Sequence, residues 1–303
     1  MSKLAFVNKA FRGDSRRMID QVNSVIDTYQ ALGLRLTLRQ IFYQLVTRNL
    51  IRNTERAYKN LGGLVSDGRL AGLIDWDMVE DRIRRPVVPN QFNNLEELVD
   101  AALASYRLPR WGGQENYVEL WVEKDALSGV LAPLANEFHA VLMVNRGYSS
   151  QSAMYDSYRR FRRQERDGKH NILLYLGDHD PSGEDMLRDI QGRFDTFGVQ
   201  VSVEKIALTI EQVQQYNPPP NPAKVTDSRF ERYASEFGDE CWEVDALPPD
   251  VLDTLVRDAF QEVLDEEAME EVKEEEERDK ELLKEAVANL RTPEASAGTR
   301  LTI

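Results

Sequence analysis

The chain has 303 residues, of which 42% are hydrophobic, and its formal net charge is −14. This length and composition leave room for two domains with ordinary cores. The single cysteine, Cys241, excludes an internal disulfide and a cysteine-based zinc site, and no apolar run approaches the roughly 20 residues of a membrane span. The charged N-terminus lacks the pattern of a signal peptide, so we expect a cytoplasmic protein without a membrane partner.

The charge is distributed unevenly along the chain. Residues 1–60 contain 11 Lys and Arg against 4 Asp and Glu, a net charge of +7. Residues 258–285 contain 14 Asp and Glu against 4 Lys and Arg, a net charge of −10. The basic N-terminal part is suited to contact with phosphates, whereas an acidic run of this kind is typical of a solvated helix face.

The N-terminal part has the periodicity of three short helices. Apolar residues repeat at helical spacing over residues 15–32, Thr37 can cap a helix over 38–46, and a third helix is predicted over 54–65. An arginine-rich turn at 82–86 follows. This arrangement predicts a helix-turn-helix or winged-helix domain.

From residue 117 onward, predicted strands and helices alternate, which indicates an α/β fold with a parallel, Rossmann-like sheet. The predicted strands cover residues 117–123, 140–144, 171–176 and 199–207, and the predicted helices cover 126–138, 150–167 and 183–197. The proline-rich segment 217–222 is predicted to be an irregular surface loop.

The C-terminal part is predicted to be helical. After the proline-rich loop, helices are expected over 230–237 and 249–264, and the acidic run should form one long helix to about residue 290. We therefore predict a winged-helix domain over residues 1–110, a sheet domain with wrapping helices over 111–264, and an acidic helix and tail over 265–303.

Three carboxylates follow two of the predicted strands. Glu123 ends the strand 117–123, and Asp178 and Asp180 follow the strand 171–176. If these strands are neighbours, the three side chains meet at the carboxyl edge of the sheet, where open α/β folds bind their ligands. Hard oxygen ligands of this kind suit Mg²⁺, which makes Glu123, Asp178 and Asp180 the predicted metal ligands.

Three segments together resemble a known family. Leu-Trp-Val-Glu-Lys-Asp at 120–125 and Asp-His-Asp-Pro-Ser-Gly at 178–183 resemble the Toprim metal-binding domain of topoisomerases, primases and some nucleases. Arg-Gln-Ile-Phe-Tyr at 39–43 resembles the nucleophile-bearing segment of the A subunit of type IIB DNA topoisomerase (topoisomerase VI) and its meiotic double-strand-break relative. The short form resembles free-standing "mini-A" members, with a weaker similarity at residues 242–247.

This resemblance implies Mg²⁺-dependent transesterification on DNA. Tyr43 matches the nucleophile, which attacks a backbone phosphate and leaves a 5′-phosphotyrosyl link, and a homodimer cuts both strands. In the family, the tyrosine of one protomer works with the metal of the other. Arg39 lies one helical turn before Tyr43 and could stabilise phenolate or phosphorane charge, and Glu123 could act as a general acid or base. Taken alone, an aromatic residue in an apolar helix is more typical of a core.

Four basic residues are candidate DNA contacts. Lys124 and Arg146 lie at predicted strand ends, and Arg159 and Arg160 belong to a basic helical run that could equally be a solvated face. A nucleoid-associated protein of prokaryotic, phage or plasmid origin would fit this pattern. Because the chain has no Gly-x-x-x-x-Gly-Lys-Ser/Thr loop, any ATP hydrolysis would come from a separate ATPase subunit.

Other functions remain open from the sequence. A Toprim nuclease would use the same metal site with an activated water and no covalent intermediate. A DNA-binding module with a structural metal would bind without cutting. A small-molecule phosphotransferase would leave the basic N-terminal part unexplained.

Overall fold

The computed structural model describes residues 3–79, 89, 91–145 and 147–291. The arginine-rich turn and the last residues of the predicted tail therefore lie outside the described residues. The chain divides into two compact units, one formed by Met1–Arg85 with Asn116–Val263 and the other by Pro86–Glu115 with Leu264–Ile303. The predicted domain boundaries at 110 and 264 stay predictions.

The first unit begins with three helices, as the sequence predicted. They are α1 (Gly13–Gln30), α2 (Leu38–Thr47) and α3 (Glu55–Leu70), and they share an apolar core. α2 begins with a capping box, because Thr37 accepts a hydrogen bond from the Gln40 amide while the Gln40 side chain accepts one from the Thr37 amide. Thr54 caps α3 in the predicted position.

The winged-helix assignment stays a prediction. Within residues 3–79, the only β pairings are isolated bridges between Ala5 and Ala71 and between Leu36 and Val79. No strand hairpin that could serve as a wing occurs in this stretch. The helices are therefore confirmed, and their assignment to the winged-helix class is not.

The predicted parallel sheet is confirmed. Its strands are β1 (Asn116–Val122), β2 (Val141–Val144), β3 (His170–Leu176) and β4 (Ser202–Ala207), and they lie in the order β2-β1-β3-β4. All three pairings are parallel. The chain moves to one side of β1 for β2 and to the other side for β3, so the strand order reverses between β1 and β3. Ligands of open α/β sheets bind at such a switch point.

Helices alternate with these strands. They are α5 (Ser128–Glu137), α6 (Gln151–Arg166) and α7 (Pro181–Phe197), followed by α8 (Ile210–Tyr216), α9 (Phe230–Phe237) and α10 (Pro249–Val263). Short 3-10 turns cover Asp125–Leu127 and Val244–Ala246. α5 packs on β2, α6 on β3, and both α7 and α10 on β4.

The prediction that residues 217–222 form an irregular loop is wrong for the last two of these residues. Asn221–Pro222 forms a two-residue strand, β5, which pairs antiparallel with β6 (Glu240–Cys241). Proline is tolerated there because a two-residue edge pairing requires few backbone donors.

The second unit contains α4 (Leu95–Ser105) and the acidic helix α11 (Glu266–Arg291), which confirms the predicted long helix. Glu276 of α11 is 1% exposed at its side chain and accepts hydrogen bonds from the Leu108 amide (3.0 Å), Arg110 (3.1 Å) and Lys280 (2.9 Å). Gln114 exchanges two hydrogen bonds of 2.8 Å with the Asp265 backbone. Residues after α4 are thus joined to α11 through buried polar contacts.

Candidate active site

The ends of β1 and β3 bring Glu123 and Asp178 together, as predicted. Val122 and Leu176 are paired in the sheet, and the Glu123 amide donates to the Leu176 carbonyl at 2.8 Å. The Glu123 carboxylate in turn accepts the Asp178 backbone amide at 2.9 Å. Burial raises the pKa of Glu123 to about 7, and the nearby charges of Asp178 and Asp180 add to this effect.

Asp178 is buried and already has polar partners. Its side chain accepts hydrogen bonds from the Lys124 ammonium at 2.8 Å and from the Val244 amide at 2.9 Å. Burial raises the pKa of Asp178, and the ammonium of Lys124 opposes this rise. Its carboxylate is therefore held in one orientation by two donors.

Asp180 caps the N-terminus of α7. Its Oδ1 accepts the Gly183 amide at 2.6 Å and the Ser182 hydroxyl at 2.8 Å, and Pro181 occupies the first helical position. A Cβ atom on Gly183 would lie 2.3 Å from the Asp178 carbonyl oxygen, so glycine is required there. The Asp-x-Asp-Pro-Ser-Gly pattern thus encodes a tight strand-to-helix turn as well as two carboxylates.

The three carboxylates suit a divalent cation by their chemistry. Their oxygens are hard ligands, and the pKa of Glu123 is raised by burial and further by the charges of Asp178 and Asp180, which a bound cation would offset. In the part of the chain that is described, however, no three His, Cys, Asp or Glu side chains form a metal-ligand cluster. Binding would require Lys124 to leave Asp178, so Mg²⁺ at this edge remains a proposal.

Tyr43 lies in a polar cluster that also contains Arg39, Lys124, Glu243 and Asp245. As a residue Tyr43 is 4% exposed, and its hydroxyl donates to Glu243 Oε2 at 2.8 Å. Arg39, one turn earlier on α2, donates to the same hydroxyl at 3.4 Å and forms ion pairs with Glu243 and with Asp245 (2.6 Å). Burial raises the pKa of Tyr43 and Arg39 opposes the rise, so the phenol is protonated at neutral pH.

Lys124 connects this cluster to the carboxylate edge, by which we mean Glu123, Asp178 and Asp180 after the ends of β1 and β3. Its ammonium lies 3.1 Å from Glu243, 3.0 Å from Asp245 and 2.8 Å from Asp178. A continuous series of contacts therefore runs from the Tyr43 hydroxyl through Glu243 and Lys124 to Asp178 within one chain. As placed, Lys124 neutralises carboxylates instead of facing a free surface.

Residues 242–245 were not assigned a role from the sequence. Their one signal was the weak family similarity at 242–247, which carried no chemistry. In the structure, Trp242 and His179 exchange backbone hydrogen bonds of 2.8 and 2.9 Å, and Asp245 has no exposed side-chain surface. This segment brings Glu243 and Asp245 between Tyr43 and Asp178.

The remaining predicted DNA contacts have different surroundings. Arg159 is exposed on α6, whereas Arg160 forms a bidentate pair with Glu119 at 2.6 and 2.9 Å. Glu119 is fully buried in β1 and also accepts from Tyr117 and Trp121. The Arg160 guanidinium therefore neutralises a buried charge, which leaves Arg159 as the better candidate. Arg146 lies outside the described residues.

No protein-family model matches this chain, and no curated protein is similar to it. The family resemblance therefore depends on the three sequence motifs alone. In the described residues, no helix is both long enough and apolar enough to cross a membrane.

Proposed function

We propose that the protein cleaves DNA by Mg²⁺-dependent tyrosine transesterification, in the manner of a topoisomerase VI A subunit. The observation that carries this proposal is the series of contacts from Tyr43 through Glu243 and Lys124 to Asp178. In this series the Tyr43 hydroxyl lies near one cationic side chain and a carboxylate of the sheet edge, and Arg39 is a second cation beside the hydroxyl. A hydroxyl with cations beside it supports a phosphoryl-transfer role.

The residues predicted from the sequence have defined roles in the proposed reaction. Glu123, Asp178 and Asp180 would hold Mg²⁺, which when bound supplies charge stabilisation for the scissile phosphate and the leaving 3′-oxygen. Arg39 orients the Tyr43 hydroxyl and offsets the negative charge of the pentavalent transition state. Lys124, once released from Asp178, is close enough to the carboxylate edge to contact a DNA phosphate.

A DNA partner is supported by exposed basic side chains at the end of α2 and the start of α3. Arg48 follows α2 directly, and Arg52 and Arg56 lie before and within the first turn of α3; all three are exposed. Phosphate contacts from such residues give sequence-independent, salt-sensitive binding. A homodimer in which each protomer cuts one strand, and a separate ATPase subunit, belong to the same proposal.

The test is DNA cleavage by the full chain with Mg²⁺, with products separated under denaturing conditions before and after protease digestion. Protein should remain on the 5′ ends with the wild type and be absent with Tyr43→Phe. Tyr29→Phe, which changes another tyrosine of the same helical core, is the matched control and should behave as the wild type. Chelation of Mg²⁺ should abolish cutting.

The second candidate is a Toprim nuclease that uses activated water and forms no covalent intermediate. It is favoured by the burial of Tyr43, which is 4% exposed as a residue. The Tyr43 hydroxyl also already donates a hydrogen bond to Glu243. A nuclease of this kind would lose activity in Asp178→Ala while Tyr43→Phe cuts as fast as the wild type. Undiminished cutting by Tyr43→Phe would therefore replace the first candidate with the second.

A further inference from the structure

Glu243 occupies a distinctive position in the cluster. Its Oε2 atom accepts the Tyr43 hydroxyl at 2.8 Å, and the same oxygen lies 3.1 Å from the Lys124 ammonium. Arg39 forms an ion pair with the same carboxylate. The Glu243 side chain is 26% exposed, so it is reachable from solvent while the tyrosine beside it is covered.

The backbone around Glu243 is fixed on both sides. Trp242 is paired with His179 through two backbone hydrogen bonds, and the Val244 amide donates to Asp178 at 2.9 Å. Asp245 is fully buried between Arg39 and Lys124. A side chain held in this way keeps its distance to the Tyr43 hydroxyl, and such fixed geometry is what proton transfer requires.

The other groups that face the hydroxyl cannot take its proton. Arg39 and Lys124 are cationic donors, and the neutral amide of Asn221, which also faces Tyr43, is not a base at neutral pH. Asp245 forms ion pairs with Arg39 and Lys124, as Glu243 does, but the Tyr43 hydroxyl donates its hydrogen bond to Glu243 and not to Asp245. Among the described residues that face Tyr43, Glu243 combines a basic oxygen with a hydrogen bond to the phenol.

We propose that Glu243 is a catalytic residue that accepts the Tyr43 proton as the phenol oxygen attacks a DNA phosphate. This inference rests on the proposed function and adds a residue to it. The bond formed joins the Tyr43 oxygen to phosphorus, and the bond broken joins phosphorus to the 3′-oxygen. The phenol proton passes to Glu243, the departing 3′-oxygen takes a proton from water, and the hydroxide left behind is neutralised by the proton that Glu243 then releases, so the step is balanced without a further reactant.

The experiment measures single-turnover formation of the covalent adduct with Mg²⁺ and a labelled DNA duplex between pH 6 and 9. Glu243→Gln keeps the size and hydrogen-bonding shape of the side chain but cannot accept the proton. Loss of a general base lowers rates by about 10²–10⁴-fold, and we expect a loss in that range with unchanged DNA binding. The residual rate should rise about tenfold per pH unit, because hydroxide then removes the proton.

The matched control is Glu240→Gln, the same substitution three residues earlier at an exposed side chain, which should react as the wild type. Adduct formation by Glu243→Gln within threefold of the wild type would overturn the inference. A reduced rate with the pH profile of the wild type would also overturn it, since that outcome indicates a structural role alone. Cleavage by Tyr43→Phe at the wild-type rate would instead overturn the proposed function, and the Glu243 role with it.

Discussion

Tyr43 and Arg39 share one face of α2 because they are four residues apart, and both reach residues that are about 200 positions later in the chain. The Tyr43 hydroxyl contacts Glu243, and Arg39 contacts Glu243 and Asp245. The charges nearly balance within the cluster, because two cations face three carboxylates that include Asp178. Each of the three carboxylates therefore has a cation beside it, which lowers the cost of burying them together.

Arg160 and Glu119 form a second ion pair in which a carboxylate is fully buried. Arg160→Ala would leave Glu119 charged and fully buried without its cation, and breaking such a pair costs about 3 kcal/mol or more. The free energy of unfolding, measured by urea denaturation, should fall by about that amount. Arg159→Ala, the exposed neighbour, should change it by less than about 0.5 kcal/mol.

The pair of variants also separates structural from DNA-binding roles on α6. If Arg159 contacts a phosphate, Arg159→Ala should reduce the slope of log affinity against log salt by about one. An unchanged slope in Arg159→Ala would remove α6 from the proposed DNA surface. Equal stability of Arg160→Ala and the wild type would contradict the assignment of Arg160 to the Glu119 pair.

At the scale of elements, the capping box fixes the residue at which α2 begins. It thereby fixes the direction in which the side chains of Arg39 and Tyr43 project from the helix. The turn from β3 to α7 has a similar function, since Pro181 and Gly183 permit a helix to begin directly after Asp180. α11 is fixed differently. Its acidic face is mostly solvated, but Glu276 is buried among Leu108, Arg110 and Lys280.

Glu276 should make stability depend on pH. Burial would raise its pKa, but hydrogen bonds from Lys280, Leu108 and Arg110 outweigh this effect and lower the pKa to about 2. A carboxylate with a lowered pKa stabilises the fold above its unfolded pKa of about 4.3, and that contribution is lost as pH falls toward 2. Thermal unfolding should therefore show a steeper loss of stability between pH 5 and 2 in the wild type than in Glu276→Gln.

The exposed Glu277 provides the control for this measurement. Its side chain is 65% exposed, so Glu277→Gln should retain the pH dependence of the wild type. At pH 7, Glu276→Gln should be less stable than both, because a neutral amide replaces a carboxylate that accepts from two cationic side chains. Identical pH profiles for Glu276→Gln and the wild type would show that this buried carboxylate does not stabilise the folded state.

The sequence predicted those parts of the structure that depend on local patterns. Apolar runs located all four strands of the parallel sheet, and the adjacency of parallel strands brought Glu123 to Asp178. Glu243 could not be located in this way, because its partners are distant in the chain and its segment has no strong periodicity. The role of Glu119 could not be predicted for a similar reason. A glutamate within a strand is typical of a solvent-facing position, and only the packing of α6 shows its pairing with Arg160.

At the scale of the whole molecule, the question is whether Tyr43 works with the carboxylates of its own chain. The family resemblance implies that the tyrosine of one protomer works with the metal of the other. In the structure, the contacts from Tyr43 to Asp178 run through Glu243 and Lys124 of the same chain. On this point our proposal differs from the family: we expect the site to be complete within one protomer, and a homodimer would bring two complete sites to the two strands.

A mixture of two inactive variants tests this expectation. Tyr43→Phe and Asp180→Ala chains, co-expressed and purified as a mixed pair, have no protomer with both parts of the site. Cleavage should stay absent if each chain acts alone, and the absence should persist at protein concentrations where the wild type is fully active. Restored nicking of one strand in the mixed pair would show that the site is shared between protomers.

The central claim is that Tyr43 becomes covalently linked to DNA, and mass spectrometry of one tryptic peptide tests it most directly. Trypsin cleaves after Arg39 and Arg48, which releases residues 40–48 with Tyr43 as their single tyrosine. After reaction with DNA and Mg²⁺, denaturation and nuclease digestion, we expect this peptide to carry a nucleotide on Tyr43. Cleaved DNA accompanied by unmodified peptide 40–48 would contradict the covalent mechanism.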